Sequence, residues 1–142
     1  MTTPDTDTLK AFNQGIVEEF RANGGKVGGQ FANADLLLLT TTGAKSGQLR
    51  IAPLAYFRVD GRLIIIGSFA GAPVDPGWVH NLRARPQAHV EVGTEAFDAT
   101  AHELDRAERD AIFDQITAAA PGFAEYQAKT RRVIPLFELR RV

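Results

Sequence analysis

Along the chain the spacing of hydrophobic positions changes several times, and each change marks an element. Over Thr8–Arg21 the apolar residues Leu9, Phe12, Ile16 and Phe20 recur at three- and four-residue intervals. That spacing predicts an amphipathic helix capped by Asp7 or Thr8 and ended by Gly24-Gly25. A glycine-rich link, Lys26–Ala34, follows. Two apolar, β-branched-rich runs, Leu36–Thr42 and Leu49–Val59, then flank the turn Gly43-Ala44-Lys45-Ser46-Gly47 and predict a β-hairpin. Asp60-Gly61 reads as a two-residue turn into a third strand, Arg62–Ser68. Ala88–Val92 turns through Gly93-Thr94 into Ala96–Leu104, where Phe97, Ala99 and Ala101 alternate with Asp98, Thr100 and His102. Asp105 and Glu108 form a capping box for a helix that runs to Ala119. Pro121 breaks it, a short helix covers Phe123–Lys129, and Val133–Leu139 reads as the sixth strand.

Strands joined mainly by hairpins favour an antiparallel sheet, and closure removes its exposed edges. The expected fold is therefore α+β, a small six-stranded antiparallel barrel with flanking helices. Residues 1–35 form an N-terminal amphipathic helix and linker, and residues 36–142 form the barrel domain. The helix stripe is expected to pack on that domain. The alternative is a helix lying on a partner or membrane surface, against which its acidic Glu18-Glu19 argue.

Composition narrows the function. A chain of 142 residues with 44% hydrophobic and 23% charged residues fits one soluble globular core. Its net charge of −1 gives no field that favours nucleic acid. It has no cysteine, which excludes disulfides, thiolate metal sites and cysteine nucleophiles, and fits a reducing cytoplasm. No signal peptide or membrane-spanning run is visible. His80, His89 and His102 lie in different elements without metal-like pairing. No nucleophile elbow, Walker loop or dinucleotide-binding glycine motif occurs, so chemistry by a borrowed cofactor is the better expectation.

Two segments carry candidate chemistry. The hairpin turn brings together Lys45, the Ser46 hydroxyl and nearby Arg50, a set able to grip a phosphate or carboxylate. The same residues also suit a turn that merely solvates a hairpin end. The insertion Phe69–Pro86 is rigid, with Pro73, Pro76 and Pro86, and it opens a short helix at Trp78. Trp78 is read either as core or as a wall for a planar ligand, and His80 and Asn81 as local backbone partners or as site residues. Phe123 and Tyr126 share a helix face that is core or site, and the run Lys129-Thr130-Arg131-Arg132 reads as a solvated end.

In order, these segments read L-L-L-T-T-T-G-A-K-S-G-Q-L-R-I-A-P-L, then I-G-S-F-A-G-A-P-V-D-P-G-W-V-H-N-L-R-A-R-P, then V-E-V-G. The combination resembles the deazaflavin-dependent nitroreductase family, split β-barrel oxidoreductases that use coenzyme F-420. The resemblance runs from about Leu36 to the C-terminus. It implies that Lys45, Ser46 and Arg50 hold the coenzyme's phosphate and the start of its polyglutamate tail, with Ile51 and Ala52 lining the groove. It further implies that Ile66, Gly67, Ser68 and Phe69 border the deazaflavin ring and that Gly77, Trp78, His80 and Asn81 close its other side. Ser68 and Tyr126 match positions that contact or protonate substrate, and Phe123 a substrate-side position. Family members often carry Arg where Ala44 stands, which implies one phosphate contact fewer and lower tail affinity. Ala120, Phe123 and Phe69 also depart from residues found there, which bears on substrate range.

The implied reaction is hydride transfer from the reduced deazaflavin to a small quinone, enone or nitro acceptor. A split-barrel FMN oxidoreductase and a non-catalytic deazaflavin- or lipid-binding protein are the alternatives. Monomer or homodimer, and peripheral contact with the inner face of a membrane, are left open.

Overall fold

Leu36–Thr42 (β1) pairs antiparallel with Leu49–Val59 (β2) over its whole length, Leu36 opposite Ala55 and Thr42 opposite Leu49. The computed structural model describes residues 6–28 and 35–142, with side chains from residue 13 onward. Most of the Lys26–Ala34 link and the side chains of Leu9 and Phe12 thus lie outside the described residues. β2 returns into Arg62–Ile66 (β3) through Asp60 and Gly61, with φ of 53° and 78°. Positive φ at both positions is the hairpin geometry whose twist matches its strands. Gln87–Val92 (β4) and Glu95–Glu103 (β5) form a second hairpin, and Leu136–Arg141 (β6) lies between β5 and β3. Pairing of β1 with β4 closes the barrel in the order β1-β2-β3-β6-β5-β4.

Among the described residues, four α-helices complete the fold. Thr6–Ala22 (α1) precedes the barrel, and Gly77–Ala84 (α2) connects β3 to β4. Arg106–Ala119 (α3) and Gly122–Ala128 (α4) lie between β5 and β6. No helix among the described residues is long and apolar enough to cross a membrane.

The side-chain period of two sorts the strands into inner and outer layers. Leu37, Leu39, Leu63, Ile65, Val90, Phe137 and Leu139 fill the barrel, into which α2 inserts Trp78, Val79 and Leu82. Outside, Ile64, Ile66 and Leu136 pack beneath Ile112, Phe113 and Ile116 of α3. Leu38 faces Val17 and Phe20 of α1, the packing expected of the helix stripe. The run of four leucines in β1 follows from burial on both faces of that strand.

Three departures from the expected elements each have a local cause. β3 stops at Ile66 because the next pair of the ladder, Gly67 opposite Pro135, makes only one of its two bonds: the Gly67 N–H donates to the Pro135 carbonyl (2.9 Å), and Pro135 has no N–H to return. β6 starts only at Leu136 because the Ile134 N–H donates to Gln127 Oε1 (3.0 Å). Only half of the capping box forms. Asp105 accepts from the Glu108 N–H (2.9 Å), while the Glu108 side chain pairs with Arg62.

Arg62 also donates to Glu138 (3.1 Å), as does Arg140 (3.0 Å). The Arg62 bond holds the Glu138 carboxyl below its ordinary range, with burial opposing. A carboxyl depressed in this way adds stability that is complete above the ordinary glutamate value of about 4.3 and is lost as pH falls towards the lower folded value. Thermal midpoints are therefore expected to drop in acid below about pH 4, and more shallowly in Glu138→Gln. Equal slopes for the two proteins would remove Glu138 from the acid response.

Candidate active site

Between α1 and the α3–α4 pair, helices leave β2 uncovered, and a cavity of about 1600 Å³ runs along it from Arg50 to Arg58. Eight strand steps span roughly 26 Å, enough for an elongated ligand. The volume exceeds the roughly 300–1,000 Å³ usual for one small ligand. At one end stands the hairpin turn with Gly43, Ala44, Lys45 and Ser46. Further along, Ile66, Ser68 and Phe69 face Gly77, Trp78 and His80. Ala119, Ala120, Phe123 and Tyr126 form a third wall, and Asn13, Ile16 and Asp35 border the cavity as well.

The turn is built by close approach. The Gly43 N–H donates to the Gln48 carbonyl (2.7 Å) and Gly47 donates back to Gly43 (3.0 Å). Gly47 has φ +70°, the left-handed conformation expected of a turn glycine. Gly43 does not, and its reason is steric, since a Cβ there would stand 2.5 Å from Ser46 Oγ. Ser46 Oγ accepts from the Gln48 N–H (3.2 Å), which leaves its hydrogen free to donate outward. Lys45 and Arg50 are exposed, and Arg50 donates to Gln48 Oε1 (3.2 Å).

Asn81 ties this turn to α2. Its Oδ1 accepts from the Ala44 N–H (2.9 Å) and its Nδ2 donates to Thr41 Oγ1 (3.0 Å). Asn81 borders the cavity, but both polar groups are spent on the hairpin. Its part is to hold the turn in place against the helix that carries Trp78 and His80. Asn81→Ala is expected to weaken anion binding at the turn by about fivefold, the worth of roughly 1 kcal/mol for one buried hydrogen-bonded brace. A titration in which the variant binds as tightly as wild type would refute that coupling.

Trp78 answers both of its readings. It is 7% exposed and edge-on to Phe137 in the barrel core (5.7 Å, 64°), and it also borders the cavity. Pro76 provides no side-chain cap to α2, so the first turn of the helix opens on the cavity. His80 is exposed on the same wall. Phe123 stacks edge-on to Phe57 (5.5 Å) and to Tyr126 (5.7 Å), which fixes the Tyr126 ring at the cavity wall. Gly67 is the one predicted site residue that does not line the cavity. A Cβ on it would meet Pro135 and Val79 at 2.9 Å, so its place is beneath the wall.

In the basic run after α4, Lys129 and Arg131 are exposed as expected, but Arg132 is not a solvated end. Arg132, with its side chain 15% exposed, donates to the carbonyls of Ser68 (2.7 Å), Gly67 (3.0 Å) and Ala72 (3.0 Å) and to Asp75 (2.8 Å). Burial lowers its pKa and Asp75 opposes that effect. Asp75 in turn accepts from Arg83 (3.1 Å), which forks onto Glu103 of β5. The clamp encloses an arc in which Phe69 and Ala70, at φ 46° and 52°, adopt a conformation that side chains disfavour. Gly71 completes the arc at φ +79°, and a Cβ there would sit 2.8 Å from the Tyr126 carbonyl. Gln127 of α4 donates to the Arg132 carbonyl (2.7 Å) and accepts from Arg109 (2.7 Å). A buried polar network thus joins the Ser68 loop to the helix that bears Tyr126. No local spacing announces a partner 64 residues away, so only the composition of the run hinted at Arg132.

The donor set suits a long ligand with an anionic end and a planar, largely apolar middle. Cations and a hydroxyl stand at the turn, Pro53, Ala55, Ile66 and Trp78 follow, and the Tyr126 phenol stands with Phe57 and Phe123. Comparison with known proteins agrees. Residues 14–140 match the model of the F420H(2)-dependent quinone reductase family. A protein of Mycobacterium tuberculosis (strain ATCC 25618 / H37Rv) named as an F420H(2)-dependent quinone reductase is 37% identical over 128 residues, covering 86% of this chain and 85% of that one. Among solved structures, an F420-H2 dependent reductase superposes with a TM-score of 0.66 at 39% identity over 75% of this chain and 94% of its own. A second, described as a domain-swapped dimer, gives a TM-score of 0.69 at 35% identity over 95% and 98%. With its closed barrel, its two-ended cavity and these relatives, the chain belongs to the F420H(2)-dependent quinone reductase family.

Proposed function

We propose that this protein is a coenzyme F-420-dependent oxidoreductase that reduces a quinone. The observation that carries the reading is the single cavity joining a cationic turn to a wall bearing Ser68 and Tyr126. Family membership supports it, as does the activity named for the mycobacterial relative.

Lys45, Ser46 and Arg50 would hold the coenzyme's phosphate, and Ile51 and Ala52 the adjoining groove. Ile66, Ser68 and Phe69 would border the ring opposite Gly77, Trp78 and His80. Bound there, the reduced coenzyme supplies a hydride, two electrons in one step. The walls position the acceptor and exclude water from the reacting face. A quinone that takes up a hydride also needs a proton on oxygen to become the hydroquinone. The Tyr126 phenol is the group proposed to give that proton and to recover it from solvent. Ser68 would hydrogen-bond the acceptor, and Phe123 would pack on it.

Fluorescence titration with coenzyme F-420 and with FMN tests the cofactor, and acceptor-dependent oxidation of the reduced coenzyme tests the activity. Binding of FMN alone would replace the reading by a flavin enzyme. Coenzyme binding without turnover of quinone, enone or nitro acceptors would replace it by a binding protein. Tyr126→Phe is expected to lower turnover by about a hundredfold, the lower range for a proton donor, with coenzyme affinity kept. Equal rates would take Tyr126 out of the mechanism.

A further inference from the structure

Arg85 directly follows α2, and its backbone is held on both sides. Its N–H donates to the Asn81 carbonyl (2.8 Å), and the next carbonyl, that of Pro86, accepts from Ala101 of β5 (2.8 Å). From this fixed point the guanidinium reaches the hairpin turn, where Nη1 donates to the Gly43 carbonyl at 3.4 Å. The same nitrogen lies 4.0 Å from where a Cβ on Gly47 would stand.

The charge pattern sets this spot apart. Arg21, Arg83 and Arg141 each pair with a carboxylate, whereas among the described residues Arg58, at the far end of the cavity, and Arg131 stand singly without one. Among the described residues, Lys45, Arg50 and Arg85 form no such pair, and all three gather at one turn. Like charges left together without counter-ions repel, and a bound polyanion relieves that repulsion. Position 44 adds nothing further, because the Ala44 N–H is committed to Asn81 and Ala44 carries no charge.

We propose that Arg85 is a third anion-binding residue of this site, which takes carboxylates of the coenzyme's acidic tail and makes good the cation absent at Ala44. The proposal rests on the cofactor reading above. Arg85 is exposed and does not border the cavity, so the part of a ligand within its reach is the part that has passed the turn. Only one of its five N–H donors is engaged, and that one weakly, to a neutral carbonyl.

Affinity measured against tail length tests it. Wild type, Arg85→Gln and Arg85→Lys are titrated, by coenzyme fluorescence, with coenzyme F-420 lacking glutamates and with its long-tailed form. Glutamine keeps a donor for Gly43 but no charge. Arg85→Gln is expected to bind the long-tailed form about three- to fivefold more weakly, as an exposed charge contact implies, and the tail-free form as wild type does. Arg85→Lys should keep most of the preference. In wild type the preference for the long tail should shrink with added salt, a measurement that needs no variant. An equal loss for both forms, an unchanged long-tail affinity in Arg85→Gln, or a salt-insensitive preference would overturn the proposal. Wild type that binds neither form would sink the cofactor reading instead.

Discussion

Arg132→Ala is expected to lower the unfolding free energy by about 3 kcal/mol and to abolish most turnover, although Arg132 does not border the cavity. The guanidinium holds three carbonyls, of Gly67, Ser68 and Ala72, and one carboxylate, Asp75. Four charge-assisted bonds at about 1.5–3 kcal/mol each would sum to far more. Two effects reduce the net loss. Asp75 keeps Arg83, so its charge is not orphaned. Freed of the clamp, Phe69 and Ala70 also relax from left-handed backbone that costs roughly 1–2 kcal/mol per residue. That relaxation is why activity should suffer more than stability, since it is the Ser68–Phe69 wall that moves. For a chain of this length the stability loss corresponds to a fall of roughly 6–12 °C in Tm. Lysine should not rescue, because a point ammonium cannot fork onto three carbonyls. A variant that melts and turns over like wild type would show the clamp to be dispensable.

The second large effect is expected of Lys45→Ala with Arg50→Ala, which should weaken coenzyme binding by about 30- to 150-fold and leave Tm within a degree or so. Exposed ion pairs are worth at most about 1 kcal/mol each, while charge-assisted contacts to a charged group reach about 1.5–3. Both side chains are exposed, so we take the sum near 2–3 kcal/mol, which gives that range. Stability is spared because neither cation makes an ion pair among the described residues, and Arg50 bonds only Gln48. The loss should diminish as salt screens the wild-type site. Unchanged affinity would move the phosphate to another part of the cavity.

These two predictions rest on residues of very different visibility. Lys45 and Arg50 sit on a hairpin whose pattern is local, with glycines, alternation and turn length all within 22 residues, so the element and its chemistry could be read together. Arg132 reads from sequence as part of a solvated end because its partners lie 57 to 65 residues earlier in the chain. Asn81 shows the same limit in milder form. The resemblance assigned it to the ring wall, but its amide is taken up by Thr41 and Ala44, about 40 residues away. Gly67, from the same motif, faces Pro135 and Val79 rather than the cavity.

By itself the sequence determined what short-range physics controls. Hydrophobic period, turn glycines and caps located the six strands and four helices to within a few residues, and the family resemblance carried by the paired motifs implied a coenzyme with an anionic end. Tertiary structure decided how the strands close, with β6 placed between β3 and β5, since that pairing depends on which buried faces fit and not on any neighbour in sequence. It also decided which polar side chains face the ligand and which hold the walls. Arginine and asparagine look alike in either role along a chain, and only the carbonyls that folding brings within about 3 Å distinguish them.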